Sequence, residues 1–227
     1  MSHPPAFDDQ PLGMTVHSMP TAQDLAAPEQ TRMGRWKMLL VLLVCAAPVI
    51  ASYLTYYVVR PEGRRNFGEL IEPQRPLPDL VAQGLDGARV NLRELKDQWL
   101  LISVAGAQCD SICQSHLYLQ RQLREGLGKN KDRLDWVWLI DDAAPVPAEI
   151  LPALKTATVL RVPAQDLQTW LSAAQGAKLS DHLYLVDPLG NWMMRFPALL
   201  TAEQAPSAKR DLERLMRASD SWDKAGR

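Results

Sequence analysis

The chain has 227 residues, enough for one domain of ordinary size with accessory segments, and 25 Lys and Arg nearly balance 26 Asp and Glu. No basic cluster of the kind that binds nucleic acid is present in the sequence, so we expect no nucleic-acid partner. Three cysteines are too few for a disulfide-rich scaffold. Residues 1–37 are mainly polar and lack an apolar period, which predicts a disordered tail.

A transmembrane helix is predicted over residues 38–59, which contain no charged side chain. A helix of this length, rising about 1.5 Å per residue, covers the roughly 30 Å hydrocarbon core of a bilayer. The run is longer than the apolar core of a cleaved signal peptide, which is usually about 7–15 residues. We therefore expect a permanent single-pass anchor. Basic residues flank it on both sides, so charge alone does not fix its orientation.

After the anchor, residues 60–76 carry Pro and Gly without periodicity and are predicted to be a linker, and residues 77–227 are predicted to fold. Hydrophobic periodicity in this domain predicts alternating strands and helices. The predicted elements are, in order, a β-hairpin over 80–92, a strand over 99–105, a helix over 111–127, a strand over 134–140, a short helix over 148–154, a strand over 158–162, a helix over 165–174, a β-hairpin over 182–196 and a helix over 208–218. A β-α-β start implies a right-handed crossover between parallel strands, and the whole order predicts a thioredoxin-like α/β fold.

Two cysteines lie at the junction between the first buried strand and the helix that follows it, as Cys109-x-x-x-Cys113. Residues four apart share a helix face, and a helix N-terminus favours thiolate over thiol. Thiolates bind soft metals and attack disulfides. Two cysteines do not make a structural zinc site, whereas two thiolates with an imidazole suit copper. The third cysteine, Cys45, lies within the predicted anchor and is expected to be inert.

Two stretches resemble signatures of the Sco/SenC family. ISVAGAQCDSICQSHLYLQRQL is similar to that family's strand, cysteine motif and first helix, and SDHLYLVDPLGNWMMRF to its Asp-His, strand and Asp-Pro-x-Gly signature. The resemblance covers about residues 38–220. The family normally has Pro after each motif cysteine, where this chain has Asp110 and Gln114.

This resemblance implies a copper site made of Cys109, Cys113 and His182, with Asp181 orienting the His182 ring. It implies a metallochaperone that helps assemble the copper centre of cytochrome c oxidase, whose copper-bearing subunit would be the partner. It also implies a single-pass protein of a bacterial inner membrane, with the tail in the cytoplasm and the domain in the periplasm.

Three alternatives remain open at this stage. His116 lies on the same predicted helix face as the cysteines and is a rival third ligand, although it also fits the apolar stripe of that helix. The pair could instead act in a thiol–disulfide oxidoreductase that reduces cysteines of the oxidase copper site or of another extracytoplasmic partner. Two ordinary buried cysteines, or a simple structural disulfide, are the third interpretation. A peroxidase is disfavoured, because no Pro or Thr stands beside Cys109.

Overall fold

The structure is a computed structural model that describes residues 28–59 and 66–223. The chain divides into two compact units, Met1–Arg64 and Arg65–Arg227. The first contains one long helix, and the second contains a sheet with its covering helices. Most of the predicted tail, residues 1–27, and part of the predicted linker, residues 60–65, lie outside the described residues.

Helix α1, Pro28–Leu54, continues as a π-helical turn over Thr55–Val59. The Thr55 hydroxyl donates to the Ala51 carbonyl oxygen at 2.8 Å where the winding changes. The span Arg32–Tyr57 contains an 18-residue stretch with a mean hydropathy of 2.3 and is long and apolar enough to cross a membrane. The predicted apolar N-terminal helix is confirmed. It begins at Pro28 rather than at residue 38, so residues 28–37 of the predicted disordered tail are helical instead.

The second unit is built on an eight-stranded sheet with the order β1-β8-β7-β4-β5-β6-β2-β3. Strands β4, β5 and β6 are parallel neighbours, and the other pairs are antiparallel. This parallel core with antiparallel additions is the predicted thioredoxin-like arrangement. The strands are β1 Glu69–Pro76, β2 Val81–Gly84, β3 Arg89–Asn91, β4 Trp99–Ala105, β5 Leu134–Ile140, β6 Thr158–Arg161, β7 Leu183–Val186 and β8 Asn191–Arg195.

Both faces of the central strands are buried, because helices cover the sheet on each side. Alternate residues of β4 point to opposite faces: Leu100 and Ile102 belong to the cluster that includes Leu167, whereas Leu101 belongs to the cluster that includes Leu212. This double burial explains the unbroken apolar sequences of β4 and β5. The covering helices are α2 Ser111–Gly126, α3 Ala164–Trp170 and α4 Ala205–Ala218.

The element boundaries mostly follow the hydrophobic pattern. The predicted strands over 99–105 and 134–140 coincide with β4 and β5. The predicted helix over 165–174 ends early, as α3 stops at Trp170. The predicted short helix over 148–154 is a 3-10 turn, Leu151–Leu154.

Strand β1 differs from the sequence prediction, which placed residues 60–76 in a linker. Residues Glu69–Pro76 pair with β8 at the sheet edge, with an irregular register between Leu70 and Arg75. Most of the strand is exposed, and an edge strand tolerates proline, so its sequence carries little strand pattern. The carboxylate of Asp211 in α4 accepts the backbone N–H groups of Phe67 and Gly68 at 2.6 and 2.9 Å, which fixes the start of the strand.

A buried ion pair holds the end of the described chain. The Arg133 guanidinium donates to the Asp223 carboxylate at 2.7 Å, and both side chains are almost fully buried. The Trp99 indole N–H donates to the same carboxylate oxygen at 2.7 Å. Arg133 also donates to the Met216 carbonyl and the Ser219 hydroxyl. We call this group the C-terminal clasp.

Candidate functional site

The two motif cysteines lie where the chain leaves β4 and enters α2, and they form a disulfide with 5.0 Å between their Cα atoms. Cys109 precedes the helix cap, in a turn closed by its N–H donating to the Gly106 carbonyl at 3.1 Å. Its φ of 46° lies in the left-handed region that non-glycine residues rarely adopt. Cys113 lies in the first turn of α2. The sequence prediction of a cysteine pair at a strand-to-helix junction therefore agrees with the geometry.

Two residues that replace the prolines of the Sco/SenC pattern stabilise this turn. Asp110 is the N-cap of α2, and its carboxylate accepts the Cys113 N–H at 2.9 Å. The Gln114 side-chain amide donates to the Cys109 carbonyl oxygen at 3.0 Å. Proline offers neither contact, so the two departures provide side-chain hydrogen bonds that hold both cysteines in place.

A second loop, which follows β5, is tied to the cysteine turn through Asp142. Its carboxylate oxygens each lie 3.1 Å from the Ala107 N–H. The Arg161 guanidinium donates to the backbone carbonyl oxygen of Asp142 at 2.9 Å and so holds the backbone of this residue in place. Gly106 makes this approach possible, because a Cβ at that position would lie 2.6 Å from an Asp142 oxygen. Burial raises the pKa of the neighbouring Asp141.

The disulfide lies in apolar surroundings. Cys109 and Cys113 are each only 3% exposed. They pack in a cluster with Trp136 and Trp138, and Ile150 contacts this cluster. Water therefore has little access to either sulfur in the oxidised protein.

His182 is buried and uses both ring nitrogens within the domain. The Ala174 N–H lies 3.1 Å from Nε2, which accepts it, so the proton is on Nδ1, which donates to the Phe196 carbonyl at 2.8 Å. Burial lowers the pKa of His182 below 6.5, which favours this neutral form. Neither nitrogen offers a free lone pair to a ligand.

Asp181 was predicted to orient the His182 ring, and the structure gives it another contact. Its carboxylate accepts the Lys178 N–H at 2.8 Å and so closes the 3-10 turn Leu179–Asp181. The Phe196 carbonyl, which a sequence motif does not reveal, takes the orienting role.

His116 contrasts with His182. It is 2% exposed and lies on the inner face of α2, and its Nε2 has no hydrogen-bond partner among the described residues. Burial is the main cause that lowers its pKa below 6.5. Asp181 and His182 act on its charge from the facing turn, and Asp110 acts from its own helix.

The predicted copper ligands do not fit a metal site in this arrangement. Within residues 28–59 and 66–223, no three His, Cys, Asp or Glu side chains are grouped to hold a metal ion. The sulfurs of Cys109 and Cys113 are bonded to each other, and the nitrogens of His182 are occupied. The geometry brings the two cysteines together and leaves the imidazole in another role.

A buried polar contact between α2 and the sheet was missed at the sequence level. The Gln120 amide donates to the carbonyls of Leu101 and Val137 at 2.7 and 3.0 Å, and the Ser103 hydroxyl donates to Gln120 at 3.0 Å. Two polar residues in apolar positions could have indicated this contact in the sequence. Ser103 interrupts the apolar run of β4, and Gln120 falls on the inner face of the helix. Cys113, His116 and Gln120 form a polar stripe at helical spacing.

The fold and the site together define a thioredoxin-like protein with a redox-capable cysteine pair and an apolar N-terminal helix. Residues 99–219, more than half of the chain, match the family model described as "Transmembrane-like, thioredoxin-like, C-terminal domain". Residues 28–59 match the model described as "Transmembrane-like, N-terminal domain". The chain belongs to this transmembrane-like, thioredoxin-like family. No curated protein matches it.

Solved structures with a similar fold include Sco and Dsb proteins. A SCO1/SenC family lipoprotein from Bacillus anthracis is 15% identical, with a TM-score of 0.47, over 64% of this chain and 98% of that one. ScoI with copper bound, from Bradyrhizobium japonicum, is 16% identical, with a TM-score of 0.43, over 63% and 98%. A DsbF homologue from Corynebacterium diphtheriae is 18% identical, with a TM-score of 0.47, over 71% and 95%. At these identities and TM-scores, the similarities carry no argument about the function of this chain.

Proposed function

We propose that this protein exchanges thiols and disulfides with a partner protein through Cys109 and Cys113. The observation that carries the proposal is the Cys109–Cys113 disulfide at the N-terminus of α2, directly after a central strand. A helix N-terminus stabilises the thiolate that a reduced pair must form, while the apolar surroundings oppose it. Cys109 is the attacking sulfur, because it lies outside the helix between the exposed residues Gln108 and Asp110.

Exchange proceeds by a mixed disulfide. The Cys109 thiolate attacks a partner disulfide, the partner's sulfur–sulfur bond breaks, and one partner thiolate leaves. Cys113 then attacks Cys109, which restores the internal disulfide and releases the second partner thiol. Two electrons pass from the pair to the partner. Both cysteines are buried, so the partner must displace part of the apolar cover that includes Ile150.

The proposal places α1 in a membrane and the domain outside the cytoplasm, where disulfides persist. The support is the apolar span Arg32–Tyr57 together with the cysteine pair. An anchor in a bacterial inner membrane, with the domain in the periplasm, would place the cysteine pair in such a compartment. The copper-bearing subunit of cytochrome c oxidase, predicted from the sequence resemblance, is one candidate partner with paired cysteines.

The test uses the full chain in detergent with Cys45→Ala, which leaves only the motif pair. Equilibration with glutathione buffers, followed by maleimide-polyethylene-glycol labelling, measures the reduced fraction. We expect both thiols to become reactive together, and Cys113→Ser to accumulate a mixed disulfide at Cys109. A pair that stays oxidised at every glutathione ratio and never forms a mixed disulfide would be a purely structural crosslink, contrary to the proposal.

Copper delivery remains the alternative proposal, since two reduced thiolates suit Cu(I). Copper titration of the reduced full chain, followed by absorption and EPR, separates the two. We expect any bound Cu(I) to depend on both cysteines and to be unaffected by His182→Ala, because His182 is engaged with Ala174 and Phe196. Stoichiometric binding that is lost in a folded His182→Ala variant would support the three-ligand copper site instead.

A further inference from the structure

The polar stripe of α2 places a buried imidazole one turn beyond Cys113. Cys113 and His116 are three residues apart on the inner face of the helix, where Cβ atoms are about 5–6 Å apart. Helical side chains lean toward the N-terminus, which directs the His116 side chain toward the turn that contains Cys113. The influence of Asp110 on His116 agrees with this direction, since Asp110 caps that end of the helix.

His116 also has a buried ring nitrogen without a hydrogen-bond partner in the described part of the domain. Such an atom is unusual, because burying a polar group without a hydrogen-bond partner is unfavourable. The Nε2 atom of His116 is in this situation within the described part of the domain, although the other buried histidine has partners on both nitrogens. The sulfurs of the disulfide carry no proton, whereas the thiol of a reduced Cys113 carries one.

We propose that His116 accepts the proton of the Cys113 thiol during exchange and returns it to the departing partner sulfur. This inference rests on the proposed function and assigns a residue to its second step. In the mixed disulfide, Cys113 is a thiol and Cys109 is bonded to the partner. The Cys113 proton passes to Nε2, the Cys109–Cys113 bond forms, and the bond from Cys109 to the partner breaks. The electron pair leaves on the partner sulfur, which takes the proton from His116.

The surroundings of His116 keep the imidazole neutral and able to act as an acceptor. Burial lowers its pKa below 6.5, and the nearby His182 acts in the same direction. Asp181 and Asp110 act in the opposite direction and stabilise the imidazolium that forms briefly. A free thiol with a pKa of about 8.5 is only about 3% thiolate at pH 7, so a neighbouring base can accelerate the step by about ten- to thirtyfold.

The experiment follows 5,5′-dithiobis(2-nitrobenzoate) reacting with the reduced full chain in detergent, in a Cys45→Ala background. The first thionitrobenzoate released reports attack by Cys109, and the second reports closure by Cys113, which Cys113→Ser lacks. We expect His116→Gln to slow the second phase about tenfold or more at pH 7 while the first phase stays unchanged. His17→Gln, which removes a histidine elsewhere, is the matched control.

The pH profile separates proton transfer from packing. In His116→Gln the second phase should rise about tenfold per pH unit below the thiol pKa, because only the thiolate fraction reacts. In the unsubstituted chain it should level off above the pH at which His116 becomes neutral. Identical rates and profiles in the two proteins would overturn the role of His116. Absence of a second phase in the unsubstituted chain would instead overturn the proposed function.

A measurement on the unsubstituted chain covers the case in which His116→Gln does not fold. NMR of protein labelled with ¹⁵N at histidine reports the hydrogen bonding of each ring nitrogen. We expect the His116 Nε2 resonance to shift on reduction, as the Cys113 thiol becomes a donor. An Nε2 resonance that is the same in the oxidised and reduced protein would contradict the proposal.

Discussion

The first half of α2 and the residue just before β7 each provide a buried histidine, yet the two rings differ in their hydrogen bonds. At β7, His182 bridges Ala174 and Phe196, so both nitrogens are committed to holding a loop and a strand end together. At α2, His116 is equally buried and has an open Nε2. Burial and residue type are the same in both regions, and hydrogen-bond partners decide which ring is available for chemistry.

The largest expected effect is on stability, in the comparison of His182→Ala with His116→Ala. Both variants remove a buried ring, but only the first leaves the Ala174 N–H and the Phe196 carbonyl without their partner. We expect His182→Ala to lower the free energy of unfolding by about 2 kcal/mol more than His116→Ala. Urea unfolding of the oxidised fragment 60–227 measures this difference. Equal losses would mean that the two histidines are structurally equivalent.

An intermediate effect is expected at the cap of α2. Asp110→Ala removes the acceptor for the Cys113 N–H and should cost about 1 kcal/mol, whereas Asp110→Asn keeps an acceptor and should cost little. The same urea titration applies, with the disulfide intact in every sample. If both variants lose the same stability, the charge of Asp110 matters rather than its hydrogen bond. The hydrogen bond to Cys113 would then not be what Asp110 contributes in place of the proline.

The smallest effect is on pH dependence. Both histidines have folded-state pKa values below 6.5, so the unfolded chain binds protons first as the pH falls. The stability that the neutral rings provide is therefore complete above about pH 7.5 and is lost progressively below pH 6.5. The free energy of unfolding should be measured between about pH 5.5 and 8.5, above the pH range in which an ordinary Asp titrates. At lower pH the raised pKa of Asp141 changes the stability in the opposite direction.

The variant His116→Leu separates the contributions of the two histidines to the pH dependence of stability. It removes one of the two titrating rings without breaking a hydrogen bond of Nε2, so it should keep only the part of the pH dependence that His182 provides. A pH dependence that is unchanged in this variant would show that His116 does not titrate in the way its burial implies.

The sequence revealed the fold more fully than the site. Continuous apolar runs located β4 and β5, because strands buried on both faces have no polar alternation to obscure them. The edge strand β1 was not predicted from the sequence, because it is mostly exposed and contains Pro73. The cysteine pair was found from its spacing and its place after a strand.

The remainder of the site depends on contacts between distant segments. Sequence spacing does not show that Ala174 and Phe196 form hydrogen bonds with the two ring nitrogens of His182, since these partners come from a loop and a strand end. The resemblance implied a metal-binding role for that histidine, and only the structure shows that its ring has two hydrogen-bond partners. Asp110 and Gln114 were noted as departures from a motif, and only the geometry shows that each makes a hydrogen bond beside a cysteine.

The C-terminal clasp has a practical consequence for anyone producing shortened versions of this protein. Truncation before Asp223 would leave the buried Trp99 indole N–H without its acceptor and remove the buried carboxylate that pairs with Arg133, because both side chains donate to it. An affinity tag fused after residue 223 leaves the pair intact. Expression boundaries should therefore be drawn beyond the last helix.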